Sequence, residues 1–183
     1  MLYRFDGKQP AVGRESYISD LARVIGDVVI GDHCYIGHGV ILRGDYGRIE
    51  IGSGTAIEEG GIVHAPPNQT YRIGEKVTLG HGAIAHGTII DNFAVIGMGA
   101  VLSLWSEIGE WAIVAEGCIV KMRQVIPTKM VFAGNPARLV REISSKDKEL
   151  WLYGKQLYID LAKKYLCDGM QSLSNKNIAS QVE

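Results

Sequence analysis

Three histidines in one short stretch of the chain, His64, His81 and His86, are the residues best suited to chemistry. Imidazole is the commonest protein ligand of metals, and three imidazoles with an open fourth position form a typical catalytic zinc site. Their spacing is not that of zinc-binding histidines on a helix. The sequence therefore predicts a metal site on another type of element, with Zn2+ as the default ion and Fe2+ or Co2+ as alternatives. The other two histidines, His33 and His38, are expected to be surface or turn residues.

The element that must position these histidines is a repeat, because aliphatic residues recur every six positions. Two residues before each of these anchors lies a small or aliphatic residue, and Gly often follows the anchor. Since strand side chains alternate between faces, the anchor and the residue two before it both point inward. The sixteen anchors are Ile18, Val24, Ile30, Ile36, Leu42, Ile51, Ile57, Val63, Leu79, Ala85, Ile90, Ile96, Leu102, Ile108, Val114 and Val120.

A period of six fits neither an α-helix nor the irregular strand spacing of a β-sandwich. Each repeat instead provides one short strand and one tight turn, and three repeats complete one coil of a triangular prism. The sequence predicts an all-β protein, a parallel β-helix of about five coils over residues 11–125, within a single domain spanning 1–183.

The period breaks in three places, all near the histidines. The spacing is nine positions from Leu42 to Ile51, sixteen from Val63 to Leu79 and five from Ala85 to Ile90. The second break contains a predicted loop, Ala65–Lys76. Insertions in a solenoid collect on its binding face, so the breaks indicate a functional site.

Residues that follow an anchor point outward, and Arg43, Glu58, His64 and His86 occupy such positions, with His81 one step later. Counting three repeats per coil stacks Arg43 over His64 and Glu58 over His86, on neighbouring faces. One face cannot easily supply all three imidazoles, so a second subunit is expected to bring the missing one.

Three further residues are candidates for the catalytic site. Arg43 and Asp45, two apart on a strand, point the same way and form either a structural ion pair or a support that orients a histidine or ligand. Glu58 is either a solvated carboxylate or the group that accepts a proton from metal-bound water.

The segment after the repeats is predicted to contain a connecting loop over 126–144, a C-terminal helix over 145–168 and a polar tail over 169–183. Ser145 is the expected N-cap of this helix. Its apolar face is expected to comprise Leu150, Tyr153, Leu157, Leu161 and Tyr165.

The composition restricts the classes of binding partner and the cellular compartment that we expect. A formal net charge of −1 over 183 residues gives no basic patch for nucleic acid. No apolar run approaches the roughly 20 residues of a membrane span. Three unpatterned cysteines indicate a reducing compartment, with the cytoplasm as the default.

Together, five motifs resemble the γ-class carbonic anhydrase-like proteins, and most closely the carnitine-operon and phenylacetate-degradation branch. The resemblance covers nearly the whole chain. The motifs are Arg43-Gly44-Asp45, Gly61-Ile62-Val63-His64, Gly80-His81-Gly82-Ala83-Ile84-Ala85-His86-Gly87, Ile96-Gly97-Met98-Gly99-Ala100-Val101 and Ala133-Gly134-Asn135-Pro136-Ala137.

The resemblance implies a left-handed β-helix, a homotrimer and three metal sites at subunit interfaces. It further implies that His64 and His86 come from one subunit and His81 from its neighbour, with Arg43 and Asp45 tying the subunits together. The chain departs from the family where Glu58 replaces a glutamine and where Tyr46 replaces a glutamate that the best-studied member carries.

The function expected from these observations is that of a zinc lyase, in which zinc-bound hydroxide hydrates CO2 to bicarbonate. Three alternatives remain open at this point: a metal-dependent acyl-CoA thioesterase, a metal-free hexapeptide acyltransferase with a histidine base, and a catalytically weak metal-binding homologue. The expected partners are a small-molecule substrate and further copies of the chain.

Overall fold

Short parallel strands stacked in columns form the body of the protein. The structure is a computed structural model, and it describes residues 1–173. The coils build a parallel β-helix followed by one C-terminal helix, which confirms the predicted fold class. The strands are β1 (Leu2–Tyr3), β2 (Ala11–Val12), β3 (Tyr17–Ile18), β4 (Arg23–Ile30), β5 (Tyr35–Ile36), β6 (Ile41–Ile51), β7 (Ala56–Ile57), β8 (Ile62–His64), β9 (Thr70–Ile73), β10 (Thr78–Leu79), β11 (Ile84–Ala85), β12 (Ile89–Ile90), β13 (Val95–Ile96), β14 (Val101–Leu102), β15 (Glu107–Ile108), β16 (Ile113–Val114), β17 (Ile119–Val120), β18 (Val125–Ile126), β19 (Met130–Ala133) and β20 (Arg138–Glu142).

Three faces arise because successive short strands pair with the strand one coil away. Face 1 runs from β3 through β5, β7, β10, β13 and β16 to β19. Face 2 begins with β1 and continues through the first halves of β4 and β6 to β8, β11, β14 and β17. Face 3 begins with β2 and continues through the second halves of β4 and β6 to β9, β12, β15 and β18. The anchors point into the prism, and all but the partly buried Ile18 in the first coil are buried, as the alternation of strand side chains requires.

The β-helix is longer than the predicted five coils, since face 1 alone stacks seven parallel strands. Residues 126–144, predicted as a connecting loop, contain β19 and the antiparallel strand β20. The reason is visible in the spacing, because Ile126 and Phe132 continue the six-residue period beyond Val120. Strand β20 pairs antiparallel with β19 and ends the sheet of face 1, and all of its residues are exposed.

Helix α1 spans Ser145–Asp168, the predicted range. Its N-cap is Ser144 rather than Ser145, because Ser144 and Asp147 form a capping box in which each side chain accepts a hydrogen bond from the other residue's backbone N–H. No helix among residues 1–173 is long and apolar enough to cross a membrane. Within the predicted polar tail, residues 174–183 lie outside the described part of the chain.

The face by which α1 packs agrees only in part with the predicted one, since Leu161 and Tyr165 pack against the β-helix as expected and the other three residues do not. Leu150, Tyr153 and Leu157 are exposed, with 49–66% of their surface accessible. Face 1 presents tyrosines and small side chains rather than a broad aliphatic surface, so α1 meets it with a mixed polar and aromatic face. The α1 residues that pack there are Lys155, Tyr158, Leu161, Ala162 and Tyr165.

Candidate functional site

Two of the three predicted histidines lie side by side, with tilted rings, at the corner where face 2 meets face 3. His64 ends β8 and His86 directly follows β11, and the pairing of Val63 with Ala85 places the two histidines on adjacent coils. Their ring centroids lie 4.6 Å apart with an angle of 33° between the ring planes. Two imidazoles of the predicted ligand set are therefore adjacent within one chain.

A three-residue network holds the His64 ring. Arg43, which pairs with His64 in the β6–β8 register, places Nη2 3.1 Å from His64 Nδ1. His64 Nε2 lies 3.1 Å from Asp45 Oδ1, and Arg43 also donates to Asp45 at 2.8 Å. Burial favours a higher pKa for Asp45, but hydrogen bonds from Tyr46 N–H and His64, together with the Arg43 charge, outweigh burial and lower that pKa. The Arg43–Asp45 ion pair exists within one chain.

His86 carries a nitrogen that lacks a partner. Its Nε2 atom is buried, and no group in the described part of the chain forms a hydrogen bond with it. Burial lowers the pKa of His86, and the neighbouring His64 and Arg43 lower it further. The imidazole is therefore kept neutral near pH 7, which is the form that binds a metal ion.

His81 lies at the opposite corner of face 2, in the turn before β11. Its Nδ1 is 2.8 Å from Glu59 Oε2, its Nε2 is 3.2 Å from Glu58 Oε2, and 46% of its side chain is exposed. Glu59 in turn accepts a 2.6 Å hydrogen bond from the Tyr35 hydroxyl. A carboxylate on Nδ1 is the common device that orients a metal-binding histidine.

Glu58 contacts His81 and does not stack over His86 as predicted. The Glu58 N–H bonds to the Leu79 carbonyl, so Glu58 lies beside the turn that precedes β11, whereas His86 follows β11. The prediction was wrong because the segment Ala65–Lys76, taken as a loop, contains the strand β9. Its buried residue Ile73 is an anchor that the count omitted, which shifted the count by one face.

A single chain does not bring the three predicted histidines together. His64 and His86 share one corner of face 2 and His81 occupies the other. Accordingly, residues 1–173 contain no cluster of three or more His, Cys, Asp or Glu side chains able to hold a metal ion.

Between the two corners, face 2 presents an aliphatic row to the outside. Each residue of the row pairs with the next one on the neighbouring strand. Ile84, midway along the row, is 41% exposed. By contrast, α1 packs on face 1, and charged residues such as Glu50, Arg72 and Glu107 project from face 3. The row comprises Ile41, Ile62, Ile84, Val101 and Ile119.

The two remaining histidines have structural surroundings. His38 Nδ1 lies 2.6 Å from Ser19 Oγ, which resembles a nucleophile and its base. Ser19 is fully buried, however, so no substrate can reach its hydroxyl. His33 Nδ1 lies 3.2 Å from a carboxylate oxygen of Glu15 at a turn.

Sequence reasoning missed Glu59 and Tyr158, which contact His81, and Lys155, which contacts Thr78. Glu59 lies two residues after the anchor Ile57, and His81 lies two residues after the anchor Leu79. This equal spacing from an anchor was the signal that could have paired them. Tyr158 and Lys155 come from α1, and no local pattern predicts where that helix docks.

Comparisons with known proteins agree with this architecture. The family described as bacterial transferase hexapeptide (six repeats) matches residues 10–44. The chain is 36% identical to gamma carbonic anhydrase 2, mitochondrial, of Arabidopsis thaliana over 90% of this chain, and it spans only 62% of that protein's length. It is also 36% identical to the carnitine operon protein CaiE of a Proteus species, over 87% of this chain and 81% of CaiE. The crystal structure of a hexapeptide transferase family protein from Anaplasma phagocytophilum superposes with a TM-score of 0.82 at 31% identity, covering 90% of this chain and 97% of the other.

Proposed function

Because this chain belongs to the hexapeptide-repeat family that includes the γ-class carbonic anhydrases and the CaiE proteins, we propose that it is a metal-dependent carbonic anhydrase-like enzyme that hydrates CO2 to bicarbonate. The observation that carries the proposal is the buried, unpartnered Nε2 of His86 beside the His64 ring. A buried polar atom without a partner is costly, and a bound ion would remove that cost.

The chemistry of the donor set fits a divalent metal ion. His64 and His86 of one chain and His81 of a neighbour would hold it, and three neutral imidazoles suit Zn2+, with Fe2+ or Co2+ also compatible. His64 would exchange its contact with Asp45 or with Arg43 for the metal. When bound, such an ion supplies Lewis-acid activation of water near neutral pH.

The protein's own groups have separate roles in this proposal. Glu59 holds His81 through Nδ1 and thereby fixes the direction of the ring. Arg43 and Asp45 hold His64 and present one charge of each sign beside the His64–His86 pair. Glu58, which contacts His81, would accept a proton during hydration.

A second copy of the chain is the occupant that we propose for the aliphatic row on face 2. The row runs between the two corners that carry the histidines, so a copy packed against it would bring its His81 toward the His64–His86 pair. Repeating this contact around a threefold axis gives a homotrimer with three equivalent sites. The exposed Ile84 would be buried in that assembly.

We also propose a cytoplasmic location, which the three free cysteines Cys34, Cys118 and Cys167 support. A thioesterase or an acyltransferase built on the same coils would act on acyl-CoA instead. These alternatives predict thiol release from acyl-CoA, which CO2 hydration does not.

Metal analysis combined with activity assays on one preparation tests the proposal. We expect about one metal ion per chain and CO2 hydration faster than the uncatalysed rate in a stopped-flow assay. His86→Ala should lose both metal and activity, whereas His33→Ala should retain both. A metal-loaded protein that hydrates CO2 no faster than buffer, or a metal-free protein that releases thiol from acyl-CoA, would refute it.

A further inference from the structure

A cavity of about 290 Å³ lies at the N-terminal end of face 2, apart from the three histidines. Two guanidinium groups, two aromatic rings and one aliphatic side chain form its wall. These groups belong to Tyr3, Arg4, Phe5, Arg23 and Ile25. Small-molecule sites are typically concave and largely apolar, with a few polar groups that fix the ligand, and this cavity has that composition.

A tight hairpin holds Phe5 beside the cavity. Asp6 and Gly7 have φ angles of 47° and 73°. Positive φ at both residues of a two-residue turn is typical of type I′, for which Asp-Gly is a preferred sequence. The turn joins Phe5 and Lys8 by two backbone hydrogen bonds of 2.9 and 3.0 Å. Lys8 forms an ion pair with Asp27 of β4 at 3.5 Å, and this contact ties the hairpin to the β-helix.

Neither guanidinium group at the cavity has a carboxylate partner. Arg23 donates to the Tyr3 hydroxyl at 3.2 Å, and Arg4 donates to the side-chain carbonyl of Gln9. Both acceptors are neutral, and a guanidinium group has five N–H donors, so most donors of both groups remain available to a ligand. Two such positive charges favour an anion, and the planar fork of arginine matches the oxygens of a phosphate group. Within residues 1–173, the arginines that form ion pairs are Arg14, Arg43, Arg48, Arg72 and Arg141.

The aromatic part of the wall provides a surface for a planar ring. The Arg23 guanidinium lies 5.9 Å from the centroid of the Tyr3 ring, so Tyr3 supports this cation. Half of the Phe5 surface is exposed. The cavity volume of about 290 Å³ is roughly ten times the volume of one water molecule in the liquid, about 30 Å³. A ligand that fills the cavity is therefore larger than a single phosphate group and has an apolar part.

The cavity lies beyond the surface proposed to bind a second copy of the chain. Arg23 pairs with Ile41, the first residue of the aliphatic row, so its charge ends the apolar surface at this point. On the other side of the strand, Ile25 pairs with Arg43, which pairs with His64. Two strand spacings, together about 10 Å, thus separate the cavity wall from the histidine site.

We propose that this cavity binds a nucleoside phosphate. The phosphate oxygens accept hydrogen bonds from Arg4 and Arg23, and the base packs on the Phe5 ring. A base joined to phosphates occurs both in free nucleotides and in the nucleotide half of coenzyme A. None of the three histidines takes part, so the site is independent of the proposed function.

Calorimetric titration of the metal-free protein tests the site, because phosphates then cannot bind to an ion at the histidines. We expect ADP to bind more tightly than either inorganic diphosphate or adenosine, since only ADP uses both parts of the wall. Arg23→Met should weaken ADP binding about tenfold, the loss expected when hydrogen bonds to a charged group are removed. Arg138→Met, on the exposed strand β20, is the matched control and should leave ADP binding unchanged. Equal ADP affinity of wild type and Arg23→Met, or ADP affinity no higher than that of diphosphate, would overturn the proposal.

Two further variants separate ligand recognition from movement of the N-terminal strand. Tyr3→Phe removes the same hydrogen bond as Arg23→Met but keeps the ring and the guanidinium group, so it should retain ADP binding. A loss as large as that of Arg23→Met would overturn the role of the charge. Phe5→Leu should weaken ADP binding about fivefold or more and leave diphosphate binding unchanged. Equal losses for both ligands would contradict packing of the base on Phe5.

Coenzyme A distinguishes the two sources of the ligand. Coenzyme A that binds more tightly than ADP, and loses affinity in Arg23→Met, supports the site and identifies the coenzyme as its ligand. The reverse order of affinities, with the same loss for ADP, supports the site and identifies a free nucleotide. Failure of both ADP and coenzyme A to bind at millimolar concentration would overturn the proposal.

Discussion

His64 and His86 lie on adjacent coils with their ring centroids 4.6 Å apart, about the spacing of paired strands. His81 is only five residues before His86 in sequence, but β11 lies between them and carries the chain across the whole of face 2. Two of the three imidazoles are thus fixed together and the third is fixed away from them. In the proposed function, a partner chain would therefore bring the third imidazole to the other two.

The aliphatic row on face 2 should drive assembly. Ile84→Asp places a charge at the centre of the row, and burying that charge against a second copy costs several kcal/mol. We expect this variant to sediment as a monomer and to bind no metal. Ile89→Asp, on face 3 between Arg72 and Glu107, is the control that should assemble normally. A trimeric Ile84→Asp protein would show that the row is not the interface.

Gly87, directly after His86, has no room for a side chain. A Cβ atom there would lie 2.5 Å from the Ser106 carbonyl oxygen. Gly87→Ala should destabilise the protein by about 1–3 kcal/mol and weaken metal binding by displacing His86. Gly154→Ala in α1 should do the opposite and stabilise by about 0.5–1 kcal/mol, since the nearest atom to its Cβ is 3.8 Å away. Urea unfolding and Co2+ titration measure both effects, and equal stability of the two variants would contradict the crowding at Gly87.

The buried amine of Lys155 should make stability depend on pH. Burial lowers the pKa of Lys155 from 10.5 to about 7, although the Glu58 charge partly opposes this. Between those values the unfolded chain binds more protons, so the free energy of unfolding rises with pH by at most about 1.4 kcal/mol per unit. We expect wild type to gain stability relative to Lys155→Met from about pH 7 to pH 9. A pH-independent difference between the two proteins would mean that the amine titrates normally.

The sequence predicted most of the fold because inward anchors at a fixed spacing leave little choice of architecture. It also predicted that Arg43 stacks over His64. The only irregular spacing between their anchors, Leu42 and Val63, lies within the long strand β6 and adds no repeat to the count. The prediction for Glu58 was wrong because the sixteen-position spacing between Val63 and Leu79 contains β9. The count of repeats omitted the anchor of this strand, Ile73.

The surroundings of His81 were less accessible to sequence reasoning. Tyr158 and Lys155 contact groups that lie about eighty residues earlier in the chain. Amphipathic periodicity identifies an apolar side of α1 but not the face that packs, because face 1 offers tyrosines and Thr78 to the helix. Leu150, Tyr153 and Leu157 are consequently exposed.

Complementation between defective chains tests the central claim, that one site is shared between two subunits. His81→Ala and the double variant His64→Ala/His86→Ala should each bind no Co2+ alone. Co-expressed with different affinity tags and purified through both, they should form mixed trimers that bind about one Co2+ each, because one interface then carries all three histidines. Mixed trimers that bind no Co2+, or a His81→Ala protein that binds a full complement, would contradict the shared site.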